Sequence, residues 1–187
     1  MRLSLRSRLD PGRAVDVHAL APAEAGAVVR TLRHPVIVED RLERQARGDC
    51  VYLIAWERGR PVGQTLLHWR RPPTVWVGSA IDRIPYVEDL FVLPEARRRG
   101  IGSALLEAAA EAAASHGDPG LSLAVSVENH TARHLYDQRG YAEAGIAPRR
   151  QPTSEQSLDG STRSFEEVVV DLVRWLDRPV TLPPPGR

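Results

Sequence analysis

One segment of the sequence, residues 87–116, restricts the fold more than any other, because it combines a strand, a tight turn and a helix in direct succession. Its first part, residues 87–93, is apolar and stops at Pro94, which is typical of a buried strand. After a basic turn, apolar residues recur at helical spacing from Ile101 onward, in a run rich in Ala, Leu and Glu. The segment therefore predicts a strand and a helix packed together in an α/β fold.

The turn between this strand and this helix has the chemistry of an anion-binding site. The first amides of a helix have no partner inside the helix, and the helix dipole places partial positive charge there. Two glycines let a phosphate approach the backbone closely, and three arginines add full positive charge. The residues predicted to bind the anion are Arg97, Arg98, Arg99, Gly100, Ile101, Gly102 and Ser103. Taken alone, the same residues also fit a helix that merely begins with Gly and Arg.

Two common phosphate-binding motifs do not fit this turn. The chain contains no Lys, and the turn lacks the Gly-x-x-x-x-Gly-Lys-Ser/Thr spacing of a P-loop. Leu105 stands where a dinucleotide-binding turn has its third glycine. A nucleoside triphosphatase and a nicotinamide-dependent enzyme are therefore disfavoured.

Length and charge narrow the class of protein further. The 187 residues suit one domain with a full core, and a net charge of +1 gives no electrostatic reason to expect nucleic acid or an anionic membrane as a partner. The single cysteine, Cys50, excludes an internal disulfide and a Cys-rich zinc site. No apolar run approaches the roughly 20 residues that span a bilayer, and no apolar signal core follows the basic N-terminus. We therefore expect a cytoplasmic protein.

Hydrophobic periodicity and turn residues predict the order β-α-α-β-β-β-α-β-α-β-β, a mixed α/β layer built on one sheet. Residues 1–12 are predicted to be a flexible leader and residues 13–177 one domain, which includes a mobile loop at 148–164. Residues 178–187 are predicted to be a Pro-rich tail. Residues 70–85, with three prolines, are predicted to form a further loop.

Two motifs in residues 86–145 have the spacing of a known family. They are Arg97-x-x-Gly100-x-Gly102, after a strand that ends in Val-Leu-Pro, and Asn129 followed by Tyr136-x-x-x-Gly140-Tyr141. In these motifs, and in the predicted order of its elements, the chain resembles the GNAT superfamily of acetyl-CoA-dependent N-acetyltransferases. The resemblance implies the α/β fold of that family, a mixed, mainly antiparallel sheet flanked by helices, and an acyltransferase activity.

The resemblance also assigns cofactor-binding residues. It implies that the basic turn holds the pyrophosphate of acetyl-CoA and that no metal takes part. In the family a bulge in the preceding strand, which corresponds to Leu90, Phe91 and Val92 here, pairs with the pantetheine arm and the acetyl carbonyl. A backbone N–H aimed at a developing oxyanion is a recognised catalytic device. Asn129 is expected to contact the same arm.

Tyr136 and Glu88 are the catalytic candidates. By the resemblance, Tyr136 protonates the CoA thiolate, and a phenol has a reference pKa of about 10 against about 8.5 for a thiol. The alternative is that Tyr136 only packs its helix on the sheet. Glu88 is expected to take the amine proton, directly or through water, unless it is simply a solvated strand residue. Strand alternation places Asp89 on the opposite face, where a structural role is expected.

The implied reaction is transfer of an acetyl group from acetyl-CoA to a primary amine of a small molecule, by direct attack in a ternary complex. The alternatives are a protein or peptide amine as acceptor, a non-catalytic acyl-CoA-binding module, and an unrelated α/β phosphate binder. Trp69, Trp76 and Tyr86 are candidates for the acceptor pocket wall. His130 and His134 are four apart on one predicted helix, but no third metal ligand has a fitting spacing. A homodimer, common in the family, is left open.

Overall fold

A nine-stranded sheet and four α-helices make up the part of the chain that this computed structural model describes, namely residues 5–6, 15–33, 35–156 and 161–176. The strands are β1 (Leu5–Arg6), β2 (Asp16–Ala19), β3 (Cys50–Glu57), β4 (Arg60–His68), β5 (Tyr86–Val92), β6 (Gly120–Ser126), β7 (Ala142–Glu143), β8 (Arg149–Gln156) and β9 (Thr162–Trp175). The helices are α1 (Ala25–Thr31), α2 (Pro35–Ala46), α3 (Ile101–His116) and α4 (His130–Gln138). No helix among these residues is long and apolar enough to cross a membrane.

The strands lie in the order β1-β2-β3-β4-β5-β6-β9-β7, with β8 paired to β9. Every pairing is antiparallel except that of β5 with β6, which are joined through α3. A parallel pair requires such a crossover, whereas antiparallel neighbours need only a short turn. The predicted fold class, a mixed and mainly antiparallel sheet flanked by helices, is confirmed.

Helix α3 covers one face of the sheet. It begins after Gly100 and ends at Gly117, both of which have positive φ, and its Ala- and Leu-rich face is buried against the central strands. Gly63 of β4 has room for no side chain, because a Cβ there would lie 2.9 Å from the carbonyl oxygen of Phe91 and 3.2 Å from the side chains of Ile101 and Leu105. Since side chains alternate along β4, the next residue, Gln64, faces the other side of the sheet, where α1 and α2 pack.

Strands β5 and β6 touch only at their beginnings. One residue pair, Tyr86 with Ser122, is in register, and the Ser122 N–H bonds to the carbonyl of Pro85 at 2.8 Å. Beyond that point β5 stays with β4 as far as Val92, and β6 stays with β9. The two strands therefore diverge and leave an opening in the middle of the sheet, directly before the basic turn.

A bulge interrupts β5 beside this opening. Leu66 pairs with Glu88 and Gln64 with Phe91, so two residues of β5 oppose the single residue between them on β4. Asp89, the first of the two, has a φ of 53°, a conformation that Asp tolerates better than most residues. The bulge lies at the start of the segment 90–92 that the resemblance implied.

The bulge also overturns the prediction that Glu88 and Asp89 lie on opposite faces. Glu88 contacts His68 and Asp89 contacts Gln64, and these two partners are on the same face of β4. Period-two alternation fails here because the extra residue turns Asp89 back to the side of its neighbour.

The mobile loop predicted at 148–164 is wrong for residues 149–156 and 162–164, which belong to strands; residues 157–160 lie outside the described ones. Strand β8 pairs with the first half of β9 from Arg149 opposite Val169 to Gln156 opposite Thr162, so this region is a two-stranded ribbon. Its residues are mostly polar and carry no apolar alternation, which is why periodicity missed β8. Of the predicted leader, Leu5 and Arg6 form a strand with β2, and its other residues lie outside the described ones, as does the predicted tail.

Candidate active site

The basic turn presents free amides and exposed arginines at the start of α3. The first intrahelical bond runs from Ala104 N–H to the carbonyl of Gly100 at 2.9 Å, so the amides of residues 101–103 precede it. Arg98 and Gly100 both have positive φ, at 57° and 78°, which shapes the turn around those amides. This arrangement can bind a phosphate at the positive end of the helix dipole.

The three arginines of the turn have different roles in the structure. Arg97 is exposed and uses only its Nε, which donates to the carbonyl of Val92 at 3.0 Å. Arg98 is exposed and has no ion-pair partner among the described residues. Arg99 forms an ion pair with Glu57 at the end of β3. Arg97 and Arg98 therefore remain available to an anion, whereas Arg99 is already paired to an acid.

Asp89 joins the bulge of β5 to the helices on the same face. Its carboxylate accepts hydrogen bonds from Arg33 Nη2 at 2.6 Å, Arg41 Nη2 at 2.6 Å and Gln64 Nε2 at 2.5 Å. Burial lowers the pKa of Arg41, but the charge of Asp89 outweighs this effect and raises it above its usual value. Both Asp89 oxygens are occupied by donors, as expected of a structural carboxylate. Sequence reasoning missed both arginines, since neither belongs to a motif.

Phe91 is fixed from the same side. The Arg33 guanidinium lies 4.4 Å from the centre of the Phe91 ring, a cation–π contact. Leu90, Phe91 and Val92 are partly buried against the main core, so the backbone of this segment is held firmly at the edge of the opening. The structure thus places the three residues that the resemblance assigned to the pantetheine arm next to the diverging strands.

Glu88 is half-exposed and hydrogen-bonded to a buried histidine. His68 Nε2 lies 2.5 Å from Glu88 Oε2, and His68 Nδ1 lies 2.9 Å from Arg44 Nη2. Partial burial raises the pKa of Glu88, but the hydrogen bond from His68 and the positive charge of Arg41 outweigh it and hold the pKa below its usual range. Glu88 is therefore a carboxylate at neutral pH. The sequence analysis did not identify His68 as a site residue. The available signal was its position as a polar residue at the end of the apolar strand β4.

Tyr136 lies in α4 and is buried. Its ring packs against that of Tyr141 with centres 5.7 Å apart, and its hydroxyl has no hydrogen-bond partner among the described residues. Burial, with a smaller contribution from Tyr86, raises the pKa of Tyr136 above its usual value. Burial likewise raises the pKa of Tyr86 to about 12. Tyr136 is therefore a protonated phenol across the whole physiological range.

Asn129 caps α4. Its Oδ1 accepts a hydrogen bond from the N–H of Ala132 at 3.1 Å, which leaves its amide NH₂ exposed. His134, which the sequence offered with His130 as a possible metal-binding pair, has its Nε2 3.0 Å from Gln138 Nε2. The described part of the chain contains no group of three or more His, Cys, Asp or Glu side chains that could hold a metal ion. The contact of Asn129 with a cofactor arm stays a prediction.

Residues 70–85 are anchored by a buried ion-pair cluster rather than left free. Arg71 and Asp171 pair at 2.5 Å with both side chains 0% exposed, and Arg149 of β8 adds a second cation at 3.0 Å from Asp171. The Arg71 guanidinium also lies 4.6 Å from the centre of the Tyr86 ring. These contacts tie the loop, the start of β5 and the β8–β9 ribbon together.

The three aromatic residues proposed for a pocket wall have different environments. Tyr86 is buried beneath Arg71. Trp69 stacks on His116 at the end of α3, with ring centres 4.1 Å apart. Trp76 is exposed, and its indole N–H donates to the carbonyl of Arg71 at 2.7 Å. Only Trp76 presents an open aromatic face held in place by a hydrogen bond.

Comparisons with known proteins show the family and the fold of the chain. A family model described as "Acetyltransferase (GNAT) family" matches residues 20–141, which is more than half of the chain. An uncharacterized N-acetyltransferase, YhfO of Bacillus subtilis, is 41% identical over 95 residues, which make up 51% of this chain and 60% of YhfO. The match thus spans less than two thirds of that relative's length.

Two solved structures share the fold at low identity. The first is the ribosomal-protein-alanine N-acetyltransferase of Brucella melitensis, at 19% identity and a TM-score of 0.62, covering 86% of this chain and 99% of that one. The second is YncA of Salmonella typhimurium with acetyl-CoA, at 17% identity and a TM-score of 0.62, covering 89% and 96%. At identities this low, the similarity shows a shared fold and nothing more.

Proposed function

Because the chain belongs to the GNAT family of acetyltransferases, whose members use acetyl-CoA, we propose that it transfers an acetyl group from acetyl-CoA to a primary amine of a small molecule. One observation carries the proposal: the divergence of β5 from β6 opens the sheet directly before the amide-rich start of α3. A pantetheine arm needs an exposed strand edge, and a pyrophosphate needs free N–H groups. Both lie in one continuous segment here.

The reaction is a direct attack in a ternary complex. The amine nitrogen forms a bond to the acetyl carbon, the carbon–sulfur bond breaks, the amine loses one proton and the departing thiolate gains one. A base and an acid on opposite sides of the carbonyl meet these needs. Glu88, ionised and half-exposed, is suited to accept the amine proton, and Tyr136, protonated and buried, is suited to supply the sulfur proton. Backbone N–H groups at the bulge are suited to stabilise the oxyanion.

The decisive experiment is a thiol-release assay with acetyl-CoA over a panel of amines. The panel contains diamines, amino acids, aminoglycoside-type amines, and peptides with an N-terminal Ala or an internal Lys. We expect turnover with at least one small amine and none with the peptides. Turnover with peptides alone would replace the small-molecule acceptor by a protein. Tight CoA binding without turnover on any amine would leave a non-catalytic acyl-CoA-binding module.

A charge placed in the first turn of α3 tests the pyrophosphate site. We expect Ser103→Glu to weaken CoA binding at least 10-fold, since an added carboxylate repels the phosphates at a partly exposed position by more than about 1.4 kcal/mol. Isothermal titration with CoA measures the effect. Loss of folding cannot explain that result, because an acid in the first turn of a helix is favourable.

Ser115→Glu is the matched control at the other end of the same helix. It introduces the same residue where the dipole disfavours an acid, so it costs stability but leaves CoA binding unchanged. Equal CoA affinity in both variants would show that the phosphates bind elsewhere.

A further inference from the structure

We propose that His68 is a positioning residue that fixes Glu88 for catalysis, occupying Oε2 and leaving Oε1 to the acceptor amine, while Arg44 sets the tautomer of the imidazole. The inference rests on the proposed function and adds two residues to it. It starts from three side chains on three elements, namely Arg44 of α2, His68 of β4 and Glu88 of β5, aligned in one chain of hydrogen bonds.

The tautomer of His68 follows from its two partners. Arg44 is a permanent cation that only donates, so His68 Nδ1, 2.9 Å from Arg44 Nη2, must present a lone pair. The ring proton is therefore on Nε2, which donates to Glu88 Oε2 at 2.5 Å. His68 is neutral and Glu88 is the anion. An imidazolium would place an N–H against the Arg44 guanidinium, which is unfavourable both as a contact and as a charge pair.

Exposure assigns the roles within the pair. The side chain of His68 is 3% exposed, whereas that of Glu88 is 49% exposed. The buried histidine is the anchor, and the carboxylate is the group presented to the acceptor side. Oε1 of Glu88 has no partner among the described residues, so it is the oxygen available to an amine proton.

The proton balance restricts His68 to positioning. The amine N–H proton moves to Oε1 of Glu88 as the bond from nitrogen to the acetyl carbon forms, and the neutral acid then releases it to water. His68 keeps its own proton throughout, because Arg44 occupies the nitrogen that would have to accept a second one. The hydrogen bond from His68 also fixes the orientation of the Glu88 carboxylate. Oε1 therefore faces the acceptor amine without a further loss of rotational freedom.

The charged surroundings support an ionised Glu88. The charge of Arg41 favours an ionised Glu88, while Asp89 opposes its ionisation but is itself paired with two arginines. The titratable and charged groups facing His68 and Glu88 are Asp40, Arg41 and Arg44 from α2, Cys50 from β3, and Tyr86 and Asp89 from β5.

Two substitutions at His68 test the proposal through a pH profile. In His68→Leu the donor is lost, so we expect the acid limb of kcat/KM to move to higher pH and kcat/KM at neutral pH to fall roughly 10-fold, with the KM for acetyl-CoA unchanged. In His68→Gln a side-chain N–H still reaches Oε2, and the limb stays near that of the wild type. A wild-type profile in His68→Leu would overturn the assignment, since a merely structural role predicts altered stability without a shifted limb.

Nuclear magnetic resonance tests the same contacts without activity. We expect the ¹⁵N shifts of His68 to report the Nε2–H tautomer at neutral pH, and the ¹³C carboxyl titration of Glu88 to move to higher pH in His68→Leu. An Nδ1–H tautomer or an imidazolium at neutral pH would refute the positioning role. Correct shifts together with no turnover on any amine would instead count against the proposed function, so the two failures are distinguishable.

Discussion

Asp171→Ala is expected to lower the free energy of unfolding by about 3–5 kcal/mol, because it removes the nearest counter-charge of Arg149 and of the fully buried Arg71, which among the described residues keeps only Asp82 at 3.8 Å. Asp171 receives Arg71 at 2.5 Å and Arg149 at 3.0 Å, and both Arg71 and Asp171 are fully buried. A guanidinium in that position cannot recover its hydration, so the substitution costs far more than the net contribution of the pair. Urea denaturation followed by circular dichroism measures the loss.

The matched control is Glu166→Ala on the same strand. Glu166 also pairs with an arginine of β8, Arg150, at 3.7 Å, but both side chains are exposed. Water screens that pair, so its removal costs less than about 1 kcal/mol. If Asp171→Ala yields no folded protein, Asp171→Asn, which keeps one acceptor for Arg71, is expected to show an intermediate loss. Equal losses for Asp171→Ala and Glu166→Ala would contradict the account of the buried cluster.

The cluster explains why residues 70–85 were only partly understood from the sequence. Three prolines and a glycine correctly predict that this stretch is irregular. They carry no information about Arg71, whose partner Asp171 is 100 residues away and is buried in an otherwise Val-rich strand. Pairings at that separation depend on the order of strands in the sheet, and no local periodicity encodes that order.

The elements predicted best are those that local physics determines. The helix after the basic turn has strong helix formers throughout and a left-handed glycine at each boundary, and the structure ends it at His116, directly before Gly117. Strand β8 is the opposite case. Its residues are mostly polar on both faces, so its own sequence has no strand pattern. It is a strand because it pairs with β9.

The candidate site also contains residues that the local sequence identifies and residues that only the strand pairing brings in. Glu88 and Tyr136 were singled out because they occupy positions in motifs, yet the chemistry of Glu88 depends on His68, which lies 20 residues earlier in the chain. The antiparallel register of β4 and β5 brings the two together. Asp89 was assigned to the wrong face because alternation assumes a regular strand, and the bulge violates that assumption.

Tyr136→Phe is expected to reduce kcat by about 10²–10⁴-fold while leaving the KM for acetyl-CoA and the stability nearly unchanged. The hydroxyl has no hydrogen-bond partner among the described residues, so its removal breaks no hydrogen bond within them. Burial raises the pKa of Tyr136, so the phenol keeps its proton at every assay pH below about 10. The same apolar surroundings disfavour a thiolate beside it, so the proton is drawn to the sulfur.

Tyr141→Phe is the control that separates catalysis from packing. The Tyr141 ring packs against that of Tyr136 at an interplanar angle of 59°. The Tyr141 hydroxyl is buried without a partner among the described residues, and burial raises the pKa of Tyr141 as well. The two variants therefore remove the same atom from the same aromatic pair. We expect Tyr141→Phe to retain wild-type kcat in the thiol-release assay. If both variants lose activity equally, or neither does, Tyr136 only packs α4 on the sheet, and the sulfur proton comes from solvent.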